Sequence, residues 1–299
     1  MKSYKKIFHI VPINRLGGVE VAAQSLDGKT HNNNKLKVEY IFKESDLRSN
    51  YSIFNPSFAI KLAYMVSKEE PDLVIVSLWR SCVTGLFIKL FRPRTKIVLF
   101  IHSIAESHFL DFILTRIMLF FSVAVWSDSK ASLEQRFKFL NINNKSQVIS
   151  YFPRVLKKID SIKVQPNFIF WGRIGVEKGL DRALIIFSKI AKYYKDASFT
   201  IIGPDGGQLM QTKKVAKQFG VSNLVNFYDA LDINEIYELA KEATFYIQTS
   251  KFEGMALSVV EAMQMGLVPV VTPVGEIASY CNEENAVIVY SNNEVVRNI

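Results

Sequence analysis

Short apolar runs alternate along this chain with longer segments whose apolar positions recur at helical spacing, the rhythm of a strand–helix repeat. Residues 5–13 (KKIFHIVPI) open the series as a buried strand, and Gly17-Gly18 turns the chain into a helix from Val19. Strands follow at 36–42, 73–78 and 95–102, with helices at 56–68 and 81–90, the second stopped by Pro93. The run 95–102 (TKIVLFIH) is continuously apolar, as a parallel strand covered on both faces must be. The most membrane-like stretch is 108–126, but Asp111 and Arg116 interrupt it. A spanning helix needs ~20 mainly apolar residues, so this stretch reads as a buried helix followed by a strand at 123–127. A helix at 129–140 and a strand at 147–152 close the first half.

Residues 153–166 are polar, basic and bounded by prolines, with no periodicity, which predicts a linker. The repeat restarts at 167–171 (NFIFW), with a helix at 180–195 and strands at 198–202 and 224–227. Asp232 reads as the cap of a helix at 233–242, with Glu235 completing a capping box. A strand at 244–248, an apolar helical run up to Gly266, and strands at 268–272 and 286–290 end the series. The prediction is an α/β protein with two doubly wound parallel-sheet domains, 1–155 and 156–299.

Composition narrows the class. With 49% apolar and 22% charged residues in 299, the chain can build two ordinary cores. Cys82 and Cys281 are far apart and form no C-x-x-C pair, which argues against a zinc site or disulfide framework and suits a reducing cytosol. The basic start is followed by an apolar run too short and strand-like for a signal peptide. The net charge of +9 is uneven: residues 1–160 hold 24 Lys+Arg against 13 Asp+Glu, and residues 161–299 hold 13 against 15. Lys2, Lys5, Lys6, Arg80, Lys89, Arg92, Arg94 and Lys96 could build a basic surface in the first half. Nucleic acid, anionic lipid or a pyrophosphate-linked lipid would satisfy that charge, as would a face kept charged for solubility.

Candidate chemistry concentrates in the second half. Glu253 and Glu261 stand with seven residues between them, Glu253 in a loop beyond a strand and Glu261 inside the following helix. Ligands bind at the carboxyl ends of strands in open α/β sheets. There, the free amides of Gly254, Met255 and Ala256 at a helix N-terminus favour anionic or hydroxyl-rich groups. Two glutamates at this spacing also recur by chance in a loop and a helix. Gly172-Arg173-Ile174-Gly175-Val176-Glu177-Lys178-Gly179 links a strand to a helix; the Arg173 fork and the Lys178 point charge both suit phosphate oxygens. It is not a Walker loop, since no Ser or Thr follows Lys178. Gly17-Gly18 permits close backbone approach but lacks the third glycine of a dinucleotide fingerprint. His102 ends a central strand beside Ser103, where a ligand contact and a structural role are both open. No H-E-x-x-H, G-x-S-x-G or Cys/His cluster occurs, and the aromatic residues fall mostly on strands and helix faces.

Taken together, these motifs resemble the retaining glycosyltransferases of family 4, which have the GT-B fold of two Rossmann-like domains with a cleft between them. The likeness rests on Gly17-Gly18-Val19-Glu20, His102, Ser127-Asp128-Ser129-Lys130, Gly172-Arg173 with Lys178-Gly179, and the E-x7-E segment from Phe252 to Gly266. The resemblance implies that Arg173 and Lys178 neutralise a donor diphosphate and that Glu253, with the amides of Gly254, Met255 and Ala256, holds donor-sugar hydroxyls. It also implies that Glu261 binds the ribose, that Gly17 and Gly18 let backbone approach the phosphates from the facing domain, that Gly172 belongs to the diphosphate clamp, and that His102 contacts the transferred sugar. No metal and no cofactor beyond the nucleotide sugar, most often a UDP-sugar in such enzymes, is implied; no D-x-D motif occurs. Two departures stand out: Ser150-Tyr151-Phe152-Pro153-Arg154 replaces the usual Asn and Gly, and the family's C-terminal tail is usually longer.

The expectation is a metal-independent hexosyltransferase of bacterial surface-polysaccharide assembly (O-antigen or capsule). It would be cytoplasmic and peripheral at the inner face of an anionic membrane. Domain 156–299 would take the nucleotide sugar, and domain 1–155 a glycan or polyprenyl-diphosphate-linked acceptor, with no nucleic acid as partner. A GT-B nucleotide-sugar epimerase and a non-catalytic glycan- or membrane-binding protein of the same fold are the alternatives.

Overall fold

The computed structural model describes residues 6–13, 18–28, 30–31, 34–42, 56–104, 106–149, 155–160 and 164–290. The chain divides into two compact units, Met1–Arg154 and Val155–Ile299.

In the first unit the elements run β1 (Lys6–Ile13), α1 (Gly18–Leu26), β2 (Thr30–His31), β3 (Asn34–Phe42), α2 (Ser57–Lys68), β4 (Leu73–Ser77), α3 (Leu78–Phe91), β5 (Lys96–Ile101), α4 (Phe109–Phe121), β6 (Ala124–Ser127), α5 (Lys130–Arg136) and β7 (Ser146–Val148). The sheet order is β2-β3-β1-β4-β5-β6-β7, parallel throughout except for the two-residue β2 hairpinned onto β3. Alternate residues of β1 serve opposite faces: Ile10 packs with Ala63, Ile88 and Met118 of α2, α3 and α4, while Val11 packs with Ala23 of α1. Both faces are therefore covered, and β4 and most of β5 are buried.

The second unit contains β8 (Phe168–Trp171), α6 (Leu180–Tyr193), β9 (Phe199–Ile202), α7 (Leu209–Gln218), β10 (Val225–Tyr228), α8 (Ile233–Ala240), β11 (Phe245–Gln248), α9 (Leu257–Met265), β12 (Val268–Val271), α10 (Ile277–Tyr280) and β13 (Val287–Ile288). Its sheet is parallel, ordered β10-β9-β8-β11-β12-β13. One continuous core joins Phe168, Phe170, Phe187, Phe199 and Tyr246 across it. The α8 capping box forms: Asp232 Oδ1 accepts from the Asn234 and Glu235 amides at 2.7 and 3.0 Å, and Glu235 Oε2 accepts from the Asp232 amide at 2.8 Å.

Three sequence expectations need correction. The helix within 108–126 is not buried: Phe109 and Phe120 are 73% and 81% exposed, while the polar Asp111 and Thr115 face inward. The reason is an inward polar anchor, since buried Arg136 ion-pairs with Asp111 and approaches Thr115 Oγ1 at 3.3 Å. The second correction concerns the linker, whose described part is packed on the second unit. The Leu156 amide donates to Gln264 Oε1 at 2.7 Å, the Ile159 amide to Met265 O at 3.0 Å, and Ile159 is buried. Third, α7 had no counterpart in the periodicity, because it buries only Thr212, Val215 and Ala216 and shows little apolar pattern. Of the strand expected at 147–152, residues 146–148 pair with β6; residues 150–154 lie outside the described residues.

Candidate functional site

In the second unit the chain runs from β8 outward to β9 and β10, then returns to the other side of β8 as β11. The strand order therefore reverses between β8 and β11, and the loops leaving their carboxyl ends diverge around a crevice, the standard ligand position in open α/β sheets. The loop after β8 carries Gly172, Arg173 and Lys178, and the loop after β11 carries Glu253, Gly254, Met255 and Ala256. Two glycines hold these loops together. At Gly179 (φ +62°) a Cβ would overlap the Thr249 carbonyl oxygen, and at Gly275 (φ +57°) one would overlap that of Glu253. Thr249 Oγ1 adds a 2.7 Å bond to Gly179 O, and Thr272 Oγ1 a 2.6 Å bond to Ser250 O.

Glu253 is the centre of this arrangement. Its Oε1 accepts from Lys178 Nζ at 2.6 Å, Gln248 Nε2 at 2.8 Å and Ser250 Oγ at 2.7 Å. Gln248 is itself fixed, because Tyr246 OH (2.6 Å) and Ser258 Oγ (2.9 Å) both donate to its Oε1. That leaves its amide nitrogen only one useful direction, towards Glu253. The Lys178 and Glu253 side chains are 17% and 10% exposed, so the pair is mostly withdrawn from water yet still reachable. All three donors crowd one carboxylate oxygen; among the described residues none donates to Oε2, which can accept from a ligand. The amides of Gly254, Met255 and Ala256, just before α9, have no acceptor among the described residues. Ala256 caps α9 in the left-handed region (φ +53°), a conformation that costs a non-glycine residue about 1 kcal/mol. Tyr280 OH steadies it by donating to Met255 O at 2.7 Å; burial, its largest cause, raises the pKa of this phenol.

Arg173 and Lys178 do not converge on one point. Arg173 is 64% exposed and pairs through Nη2 with Glu177 Oε1 at 2.7 Å, whereas Lys178 turns to Glu253. Each cation thus rests on a carboxylate that an incoming anion could replace or join. Glu261 is buried in α9 and accepts from Trp171 Nε1 at 3.0 Å across the β8–β11 boundary. Gly172 follows Trp171 directly, with φ +147°. A cavity of about 480 Å³ opens beside the cluster, lined by Gly179, Arg182, Ser250, Thr272, Val289 and Tyr290 among others. Gly179 and Ser250, the latter a donor to Glu253, lie on its wall, whereas Arg173, Lys178 and Glu253 do not.

In the first unit the order reverses between β1 and β4. Gly17 lies outside the described residues, and Gly18 begins α1. Leu78, directly after β4, has φ +66°. His102 lies just beyond β5 with both ring nitrogens engaged, Nδ1 facing Asp128 Oδ2 at 3.4 Å and Nε2 meeting Ser77 Oγ at 3.0 Å. A ligand contact through either nitrogen requires release of one of these partners. Ser77 Oγ also meets His9 Nε2 at 2.7 Å. Burial, helped by neighbouring His102, pulls the His9 pKa down to about 3. An unfolded His9 binds its proton near pH 6.5, so stability falls as pH drops from about 6.5 towards 3, at up to about 1.4 kcal/mol per unit. In His9→Gln this contribution to the slope should vanish, which urea melts of both proteins between pH 4 and 7 measure.

Sequence reasoning missed Trp171, Gln248 and Ser250. The available signal was a glutamine ending an apolar strand and a tryptophan immediately before the Gly172 turn, both at carboxyl edges.

Residues 152–297 match the family model described as glycosyl transferases group 1. An uncharacterized glycosyltransferase of Haemophilus influenzae is 28% identical over 147 residues, covering 48% of this chain and 39% of that protein. The curated relatives are matched over only 27% to 39% of their own length. Among solved structures, Anabaena HepE in complex with UDP and glucose superimposes with a TM-score of 0.74 at 16% identity, over 98% of this chain and 88% of that one. The lipopolysaccharide outer core galactosyltransferase WaaB, in its apo form, gives 0.63 at 15% identity, over 97% and 87%. The fold is GT-B.

Proposed function

We propose that this chain, a GT-B fold whose second half matches group 1 glycosyl transferases, moves a hexose or N-acetylhexosamine from a UDP-sugar to a glycan or lipid-linked acceptor. The observation that carries the reading is the Glu253 carboxylate, held through Oε1 by Lys178, Gln248 and Ser250 just before the N-terminus of α9. In the reaction the bond from the sugar C1 to the diphosphate breaks, the acceptor oxygen bonds to C1, and the acceptor loses its proton. Negative charge builds on the departing diphosphate. Arg173 and Lys178, with the α9 amides, are the groups of this unit suited to stabilise it. Glu253 Oε2 accepts hydroxyls of the sugar, which orients C1. Glu261, held by Trp171, is placed in this reading at the nucleoside ribose.

Support for the donor comes from HepE, solved with UDP and glucose, and support for a surface-polysaccharide acceptor from WaaB, named as a lipopolysaccharide galactosyltransferase. The proposed setting is the cytoplasmic face of an anionic bacterial membrane, in O-antigen or capsule assembly, with the first unit taking the acceptor. Its 22 Lys+Arg against 12 Asp+Glu suit a diphosphate-linked lipid. Among the described residues no helix is long and apolar enough to cross a membrane.

Retention and metal independence belong to the same proposal. An α-linked UDP-sugar should give an α-linked product in the presence of a chelator, read from the anomeric proton coupling by NMR. A β-linked product would overturn retention. Epimerised or hydrolysed sugar with no acceptor dependence would favour the epimerase alternative.

A further inference from the structure

We infer that the outer face of α4 is a docking surface for an anionic lipid bilayer. The helix is amphipathic in the reverse sense. Its buried side holds Asp111, Thr115, Met118 and Leu119, and its polar pair is satisfied there by Arg136, with Thr115 Oγ1 donating to Asp111 Oδ1 at 3.0 Å. Placed at 100° per residue, the opposite half of the helix carries Phe109, Leu110, Ile113, Ile117, Phe120 and Phe121, with Phe112 at its edge. Of these all but Ile113 are exposed. Scattered exposed apolar residues are ordinary, but half a helix surface of them, four being phenylalanine, marks a surface that meets an apolar phase.

Neighbouring chain extends the patch and supplies its charge. Arg116 is the only charged residue on the outward half, and Glu106 balances it: Arg116 Nη1 donates to Glu106 Oε1 at 2.9 Å, its guanidinium carbon lies 3.6 Å from the Phe112 ring centroid, and its Nη2 donates to Arg136 O at 3.3 Å. Three residues on, Phe139 is 92% exposed, with Lys138 Nζ 5.9 Å from its ring. The one acid of α4, Asp111, is turned inward and neutralised. Aromatic side chains outward, Lys138 beside Phe139, and a unit with 22 basic against 12 acidic residues are what an interfacial helix on anionic lipid requires. A second copy of this chain is the poorer occupant, because each first unit carries a balance of +10 from its 22 basic and 12 acidic residues.

This inference deepens the membrane setting of the proposed function and rests on it, but its test is independent of catalysis. The full chain is floated with vesicles of phosphatidylcholine alone and with about 30% phosphatidylglycerol, at about 0.1 and 0.5 M salt. Binding should appear with the anionic vesicles, weaken with salt, and fall on the order of tenfold or more in Phe109→Ser/Phe120→Ser. Both positions are exposed, so the variant should melt with the wild type and bind UDP-sugar unchanged in the absence of lipid. No flotation of the wild type, or equal flotation of the variant, overturns the docking surface while leaving the transferase reading to its own assay. A dimer in sedimentation that the double variant loses, without vesicle binding, assigns the face to a second copy instead.

Discussion

Glu253→Gln should lower the rate of sugar transfer by about 10²- to 10³-fold, the scale seen when one preorganised polar contact is taken from a charge-developing site. The side chain keeps its size, and an amide oxygen can still accept from Lys178, Gln248 and Ser250, which lie at 2.6, 2.8 and 2.7 Å. What is lost is the negative charge and one acceptor, since the second arm becomes an NH2 that cannot accept from a sugar hydroxyl. Folding should change little, by about 1 kcal/mol. Glu253→Ala separates the two effects. It strands the Lys178 ammonium and the Gln248 amide in a mostly buried place and should cost about 3 kcal/mol of stability. UDP release with a saturating acceptor, together with urea melts, reads both. Full activity in Glu253→Gln would remove this carboxylate from the mechanism.

Arg173→Ala should weaken UDP-sugar affinity by about 10²-fold, near 3 kcal/mol for a charge-assisted contact to diphosphate. Its structural cost is small, because the side chain is 64% exposed and pairs with Glu177 at 2.7 Å. An exposed pair of this kind contributes at most about 1 kcal/mol. Affinity and stability are therefore decoupled at Arg173, whereas Lys178 is tied to Glu253 and its removal disturbs both. The check is a pair of isothermal titrations and a pair of melts. An affinity change below threefold would leave Arg173 as a surface residue of the β8 loop.

The α/β alternation was legible because the central strands are continuously apolar; residues 95–102 and 167–171 can hardly be anything but covered strands. Arg173, Lys178, Glu253 and Glu261 were also visible, as charges at predicted strand ends and in the helix beyond. Their pairing was not. Lys178 and Glu253 lie 75 residues apart and meet only because β11 returns to the side of β8, a fact of sheet order that no local pattern encodes. Gln248 looked like the end of a strand, and its task of holding Glu253 follows from Tyr246 and Ser258 occupying its carbonyl. For α4 the apolar character of 108–126 suggested a buried helix, and the usual assumption that the apolar residues pack inward failed. Arg136, from a different element, drew Asp111 and Thr115 into the core. The polar α7 escaped notice because it buries too little to leave a pattern.

The central claim, that the crevice between β8 and β11 holds a nucleotide sugar, is tested most directly by calorimetric titration of the whole chain with UDP, GDP and a panel of UDP-sugars. The account predicts one site per chain for a UDP-sugar, with UDP alone binding there too and GDP more weakly. Absence of binding by every nucleotide and nucleotide sugar would contradict it.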